Sequence, residues 1–389
     1  PGYRLTAWRG SSRILVLFYV QHLLGIGHFR RTMALAHACV DAGVRAEVVS
    51  GGMPVSQPSR PAVRVHQLEP VRSADLYFSA IVDSMGEPVT QQLQQRRSKQ
   101  LLDIFHDLNP KVLVTELFPF GRRRFRFELL PLLEAAKTQG TSVVCSVRDS
   151  IQRRTDDREA ETVQLLRAYY QSVLIHGVKD FLPFSESFGK AGEIDDFSHY
   201  TGLVDTGPGT IPDAIEEGEI IVSAGGGAAG NALYRCAVDS AALSRYPDVR
   251  WRILAGATPD PQALNDLRAG APRRVTIESN RPDFRALLKN CRLSVSQIGY
   301  NSAVDLLVSG APALVVPFTG DGNETEQGAR AARLHQQGRV VVLDESGLTP
   351  AALAKAVDDL LERGPARFKR QSCNGAKATA HYLKRWSAQ

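Results

Sequence analysis

The stretch 22–31, HLLGIGHFRR, holds the first residues whose types and order could do chemistry. It follows an apolar run, RILVLFYV, and precedes a helix-like segment, TMALAHACVDAG. Backbone N–H groups at such a helix start are unpaired, and the helix dipole adds about half a positive charge, so the turn suits an anion. His28 titrates near neutral pH, which suits a base for a hydroxyl group. A histidine after a strand can equally be structural or merely exposed. Glu116, which closes the apolar strand KVLVT, would share a sheet edge with His28, where a carboxylate can orient or charge-stabilise an imidazole. Asp149, after SVVCSVR, is a competing carboxylate; a plain loop charge is the alternative for either. Gly27 would let the backbone bend beneath a cleft. Arg30 and Arg31 are candidates to bind a diphosphate or an anionic acceptor, or to cap the domain surface.

The second half of the chain repeats the arrangement. SAGGGAAGNAL places Gly225, Gly226, Gly227 and Gly230 between a strand and a helix, where a backbone without Cβ atoms can approach a diphosphate or simply turn tightly. No Walker lysine follows, which argues against an ATPase. SVSQIGYNSAVDLLVSG puts Asp305 on a helix after a short turn, where it could accept ribose hydroxyls or stand as a solvated charge.

These positions need a scaffold, and the rhythm of the chain supplies one. Short β-branched runs alternate with longer helical segments, which predicts parallel sheets covered by helices. Strands are expected at 13–20, 45–50, 63–68, 111–115, 142–147 and 173–176, and the longest helix at 89–108, stopped by Asn109 and Pro110. At 205–218, DTGPGTIPDAIEEG breaks the rhythm and reads as a linker. The alternation then restarts with EIIVSAGGG and runs through RWRILAG, RVTIES, LSVSQIG, PALVVPF and RVVVL. The expected architecture is α/β, two facing Rossmann-like, doubly wound parallel-sheet domains with a cleft between them. Residues 1–208 are expected to form the first domain, 209–365 the second, and 366–389 a basic terminal helix.

Composition narrows the function classes. The 389 residues carry 47 Lys or Arg against 41 Asp or Glu, a net charge of +6, and the excess lies in the stretch from Arg363 onward. The rest of the chain is close to neutral, so a nucleic-acid partner is not expected. The tail could touch phosphate or anionic lipid, or be solvated. Arg122, Arg123 and Arg124 are interleaved with Phe118, Phe120, Phe125 and Phe127. Such a segment could seat the protein on a membrane or a polyanionic acceptor, or form a helix with solvent and core faces. Five cysteines without C-x-x-C pairs, and no apolar segment of spanning length, predict a cytoplasmic protein with reduced thiols.

The order of the Gly-rich turn, GYNSAVDLL, GAPALVVPFTGDGNETEQGARAARL and QQGRVVVL resembles the nucleotide-sugar-binding half of GT-B glycosyltransferases. It is most similar to family 28, which includes the peptidoglycan N-acetylglucosaminyltransferase. GIGHFRRTMALA, TELFPFGRRRFRFELLPLL and VLIHGVKDFLPFSESFGKAGEIDDFSHYTGLV look like a bacterial group of predicted family 28-like transferases.

The resemblance implies an inverting transferase that takes a nucleoside diphosphate-sugar, expected to be a UDP-sugar, to an unidentified acceptor hydroxyl or amine. It implies that the first domain is the acceptor side and the second the donor domain, with the terminal helix packing back on the first. It implies that Asp305, standing where the peptidoglycan enzyme has Glu, holds the donor ribose, and that Glu326 and Gln327 hold sugar hydroxyls. Helix N-terminal charge and capping are the structural alternative for that pair. Ser223, Gly226 and Gly227 would face the diphosphate, with Asn301 and Ser302 as further donors. His28 would be the base, Glu116 its acidic partner, and Arg122 or Asp149 an acceptor contact. No metal and no other cofactor is expected. The opening segment also looks like that of the nucleotide-sugar hydrolases of pseudaminic acid synthesis. A hydrolase or epimerase is therefore the rival reading, and a noncatalytic nucleotide-sugar-binding module the third.

Overall fold

The computed structural model describes residues 14–56, 62–75, 80–207, 209, 217–224, 230–256, 261–320 and 324–386. The first domain is built from β1 (Leu15–Val20), α1 (Gly27–Asp41), β2 (Arg45–Ser50), β3 (Arg64–Gln67), β4 (Val71–Ser73), β5 (Ile81–Asp83), α2 (Gln91–Leu108), β6 (Val112–Glu116), α3 (Arg126–Gln139), β7 (Ser142–Arg148), α4 (Asp156–Tyr169), β8 (Ser172–His176) and β9 (Ser198–Tyr200). Its main sheet is parallel throughout, in the order β3-β2-β1-β6-β7-β8-β9. Every residue of β1 is buried, because a central parallel strand is covered on both faces. Leu17 and Tyr19 enter the core beneath α2, α3 and α4, while Val16, Phe18 and Val20 enter the one beneath α1.

The second domain follows as β10 (Ile220–Ser223), α5 (Asn231–Leu243), β11 (Trp251–Leu254), α6 (Pro261–Ala269), β12 (Val275–Glu278), α7 (Phe284–Asn290), β13 (Leu293–Ser296), α8 (Tyr300–Ser309), β14 (Ala313–Val315), α9 (Glu326–Gln336), β15 (Val341–Val342) and α10 (Pro350–Glu362). Its sheet, also parallel, runs β12-β11-β10-β13-β14-β15. Ile220 and Val222 face the core shared with α5 and α10, and Ile221 faces the one shared with α7, α8 and α9. These are the two Rossmann-like domains of a GT-B fold.

The last helix, α11 (Gly375–Trp386), lies on α1. Ala380 and Leu383 join the first-domain core, and His199 stacks on Tyr382 at 5.0 Å between centroids. Its entry demands glycine: a Cβ on Gly375 would stand 2.3 Å from the Gly202 carbonyl oxygen. The basic tail is thus a packed crossover whose apolar side is buried.

The structure differs from the sequence expectations at the edges. The hairpin of β4 and β5 and the edge strand β9 have no counterpart in those expectations, and the expected strand RVVVL shortens to two residues. Residues 122–124 do not form a regular helix: Arg122 turns in the left-handed region at φ 60°, and Arg123–Phe125 is a 3-10 turn leading into α3. Phe118, Phe120 and Phe125 are buried in the core, so those rings offer nothing to a membrane. Among the described residues no helix is long and apolar enough to cross a bilayer.

α2 shows why one charged residue sits inside. Thr90 Oγ1 accepts the Leu93 N–H at 3.2 Å, a cap contributing about 1 kcal/mol. Leu93, Arg97, Leu101 and Phe105 form the buried stripe at helical spacing. Arg97 occupies an apolar position because Glu128 of α3 neutralises it through two hydrogen bonds, at 2.8 and 3.0 Å. The same guanidinium donates to Gln21 Oε1 at 2.9 Å and to the Gly51 carbonyl at 3.0 Å, fixing the loop that leaves β1.

Candidate active site

β1 ends at Val20, and the chain crosses the carboxyl edge of the first sheet before α1 begins at Gly27. His28 therefore sits in the first turn of α1, beside the end of β6, where Glu116 closes the neighbouring strand. His28 Nδ1 lies 2.7 Å from Glu116 Oε1. Glu116 is buried, and the same oxygen takes a hydrogen bond from Arg31 Nη2. The side chain of His28 keeps 19% of its exposure, whereas Arg31 and Glu116 keep 3% and 2%.

Electrostatics assigns the protons. Burial pushes the His28 imidazole down to about 3, against the opposing pull of Glu116. Burial alone would raise Glu116, but His28, Arg31 and Arg122 together hold it well below the usual carboxylate range. The pair is thus a neutral imidazole on an ionised carboxylate, with the cations Arg31 and Arg122 balancing the charge. Nδ1–H donates to Glu116, and the Nε2 lone pair is left to accept a proton. The other histidine of the loop is structural, its Nε2 meeting the Met53 carbonyl at 3.0 Å from His22.

The remaining first-domain candidates separate. Arg122 donates from Nε to the Gln21 carbonyl at 2.6 Å and faces Glu116 from the loop behind β6. Arg30 is exposed. Asp149 does not compete for His28. Its carboxylate forms a buried ion pair with Arg330 of α9 at 2.7 Å, across the two domains, which removes it as an acceptor contact. Arg31 is buried on Glu116 and so does not cap the domain surface.

On the opposite wall, Ser223 ends β10 beside Ser296 of β13, and both hydroxyl oxygens are buried without a hydrogen-bond partner among the described residues. Gly226 and Gly227 lie outside the described residues. Asn301 and Ser302 stand in the first turn of α8. Asn301 closes on the first domain: a Cβ on Gly27 would stand 2.8 Å from its Nδ2. Asn301 Oδ1 is buried and unpartnered.

Three donor-side residues are engaged by the protein itself. Asp305 takes a hydrogen bond from Arg285 Nε at 3.1 Å, and Arg285 also reaches Asp205 at 2.5 Å. Arg285 thus holds the Oδ1 side of the Asp305 carboxylate. Gln327 Oε1 accepts the backbone N–H groups of Ile298 at 2.9 Å and Phe318 at 3.2 Å, tying the turn after β13 to the turn after β14. Glu326 is buried against Arg148 of β7 at 2.6 Å, and burial pushes its carboxyl up to about 7. Capping of α9 falls to Glu324, whose Oε1 accepts the Glu326 N–H at 2.6 Å.

Sequence reasoning missed the pattern behind these pairs. Glu326, Arg330 and Arg333 recur at i, i+4 and i+7 on one face of α9. They meet Arg148, Asp149 and Glu186 of the first domain in turn. The signal was present as charges at helical spacing in EQGARAARL, but their partners are some 150 to 180 residues away. Among the described residues no group of three or more His, Cys, Asp or Glu is arranged to hold a metal ion.

The arrangement can perform one kind of chemistry economically. An oriented neutral imidazole can accept a proton from a hydroxyl, with a fixed carboxylate to stabilise the imidazolium that forms. The unpartnered serine and asparagine oxygens on the facing domain mark a polar wall across from it.

Residues 220–385 match the glycosyltransferase family 28 C-terminal domain. NDP-glycosyltransferase YjiC of Bacillus subtilis (strain 168) is 29% identical over 117 residues, which are 30% of this chain and 27% of that protein. The chain thus spans about a quarter of the length of this curated relative. The calicheamicin glycosyltransferase CalG4 is similar over 97% of this chain and 95% of its own, with a TM-score of 0.58 and 18% identity. MurG of Acinetobacter baumannii is similar over 96% and 99%, with a TM-score of 0.55 and 15% identity.

Proposed function

We propose that this chain, a GT-B protein whose second domain belongs to glycosyltransferase family 28, transfers a sugar from a nucleoside diphosphate-sugar to an acceptor hydroxyl. The observation that carries the reading is the His28–Glu116 hydrogen bond at 2.7 Å, on the first-domain edge that faces α8. The family of residues 220–385 and the NDP-glycosyltransferase relative support the donor class.

In this reading His28 Nε2 takes the acceptor proton as the acceptor oxygen bonds to the anomeric carbon. The bond from that carbon to the diphosphate oxygen breaks, and its electron pair leaves with the nucleoside diphosphate. Attack from the face opposite the leaving group inverts the anomeric centre. Glu116 orients the imidazole and stabilises its positive charge without touching substrate. The N-terminal turn of α8, with Asn301 and Ser302, faces the leaving diphosphate together with Ser223, and its N–H groups and helix dipole offset developing charge. Glu326 would reach a sugar hydroxyl only once freed from Arg148, while Gln327 Oε1 stays held by the Ile298 and Phe318 N–H groups of its own domain.

UDP is the nucleotide this reading favours. A thermal-shift panel of UDP, dTDP, GDP and ADP tests it, since a ligand at a hundred times its Kd adds about 2.7 kcal/mol to native stability. A shift with another nucleotide and none with UDP overturns the uridine assignment. Incubation with UDP-sugars in the absence of acceptor separates transfer from hydrolysis: rapid release of free sugar and UDP refutes the transferase.

A further inference from the structure

Arg31 is buried, and the groups it touches belong to different domains. One Nη reaches Glu116 Oε1, the oxygen that also takes the His28 Nδ1–H. Its guanidinium carbon stands 5.2 Å from the ring centroid of Tyr300, the first residue of α8. Tyr300 is in turn held from two sides of the chain. Its hydroxyl oxygen accepts the Val204 N–H at 2.8 Å, on the segment leaving the first domain. Arg330, paired with Asp149, lies 5.9 Å from the same ring. His28, Glu116, Arg31 and Tyr300 are therefore contiguous, and only the last belongs to the second domain.

We propose that Arg31 is a positioning residue, seated on the ring of Tyr300, that fixes the Glu116 carboxylate beside His28 while the two domains are in contact. The proposal rests on the reading of His28 as the base. A carboxylate this buried needs a cation to remain charged, and a long arginine side chain needs a surface to restrict it. Glu116 gains the first from Arg31, and Arg31 gains the second from the aromatic face. The guanidinium also opposes a second positive charge nearby, adding to the burial that keeps the imidazole neutral before substrate arrives. Loss of the ring would leave the charge in place but let it wander. The dyad would then be present without being oriented.

The test follows His28 itself, in the full chain labelled with 15N-histidine, with His28→Gln used to assign its ring signals. His28 is faced by Arg31 from its own helix, by Glu116 from β6 and by Arg122 from the loop behind it, and Glu116 and Arg122 stay in every variant. The wild type should hold the neutral Nδ1–H form from pH 8 down to 5, and each titration is carried on to pH 3, where the wild-type midpoint is expected. Arg31→Met should raise the His28 midpoint by about one pH unit or more, because a like charge within 4–6 Å is removed. Arg31→Lys should restore most of that difference. Tyr300→Leu should move the midpoint the same way by less, and Tyr300→Phe, which keeps the ring, should leave it unchanged. Unmoved His28 signals in folded Arg31→Met or Tyr300→Leu overturn the proposal. Donor turnover is measured separately: a wild type inactive with every nucleotide-sugar, in which the His28 shifts still follow Arg31 and Tyr300, refutes the transferase and leaves the coupling standing.

Discussion

Asp149 and Arg330, 181 residues apart, form an ion pair buried almost completely between the two domains. A charge in that position is costly to leave alone. Asp149→Asn or Arg330→Met should each lower stability by about 3–5 kcal/mol, read as a fall in the urea midpoint. Asp149→Leu combined with Arg330→Met should cost less than the two single changes added together, because neither charge is then orphaned. Additive losses would show that the pair does not act as a unit.

His28 and Glu116 make the sharpest prediction for activity. His28→Ala should reduce turnover by about a hundred- to ten-thousand-fold while nucleotide binding, followed by thermal shift, is retained. Glu116→Gln should also lower kcat, because a neutral amide neither stabilises an imidazolium nor fixes the Nδ1–H tautomer. Wild-type turnover in His28→Ala would remove the base assignment, and a noncatalytic binding module would then be the better description.

The expected pH dependence of the reaction follows from the same pair. Burial holds His28 neutral down to about pH 3 in the free protein, so kcat/KM should not fall along an acid limb centred near the 6.5 of ordinary imidazole. A limb at 6.5 that disappears in Glu116→Gln would instead mean that the Glu116 charge outweighs burial and holds the imidazole at its ordinary value.

Two glycines separate by what their Cβ would meet. At Gly375 the obstacles are the backbone carbonyls of Gly202 and Leu203, at 2.3 and 2.7 Å, which cannot rotate away. Gly375→Ala should cost about 1–3 kcal/mol and loosen α11 from α1, visible as faster amide exchange in both helices. At Gly27 the obstacle is the end of the Asn301 side chain, at 2.8 Å, which can turn aside. Gly27→Ala should therefore leave stability nearly unchanged, and Asn301→Ala should relieve any effect it has on turnover.

Much of the fold was legible because parallel strands buried on both faces read as uninterrupted apolar runs; LVLFYV and VLVTE need no partner to be recognised. The meeting of His28 with Glu116 was legible too, since Glu116 ends β6 and His28 opens the helix that follows the neighbouring strand β1. What could not be read was which charges cancel. Asp149 and Glu116 look alike in sequence, each closing a strand, and only the path of α9 gives one to Arg330 and leaves the other to His28. Asp305 illustrates the same limit: its helix position was clear, but Arg285 on α7 reaches it through tertiary packing alone. Arg97 carried a local signal, a cation on an apolar stripe, without any hint that Glu128 would meet it.

Acid sensitivity gives a last test, independent of ligands. His176 is fully buried, with Nε2 2.7 Å from Ser146 Oγ and Nδ1 2.8 Å from Thr201 Oγ1. Burial pushes it from 6.5 down to about 3. Between those values the unfolded chain binds the proton and the folded one does not, so this contribution to stability is complete above pH 6.5 and is lost as the pH falls toward 3. Between pH 7.5 and 5 the loss from one such histidine is about 2 kcal/mol. His28 acts in the same direction and the raised Glu326 carboxyl in the opposite one, so His176 shows in the difference between the two proteins: His176→Gln should make the loss of stability between the two pH values smaller by about 2 kcal/mol. Urea denaturation of wild type and variant at the two pH values measures it. An unchanged slope in a folded His176→Gln protein would mean that His176 already carries its proton in the native state, and that the Ser146 and Thr201 hydroxyls accept from both ring nitrogens.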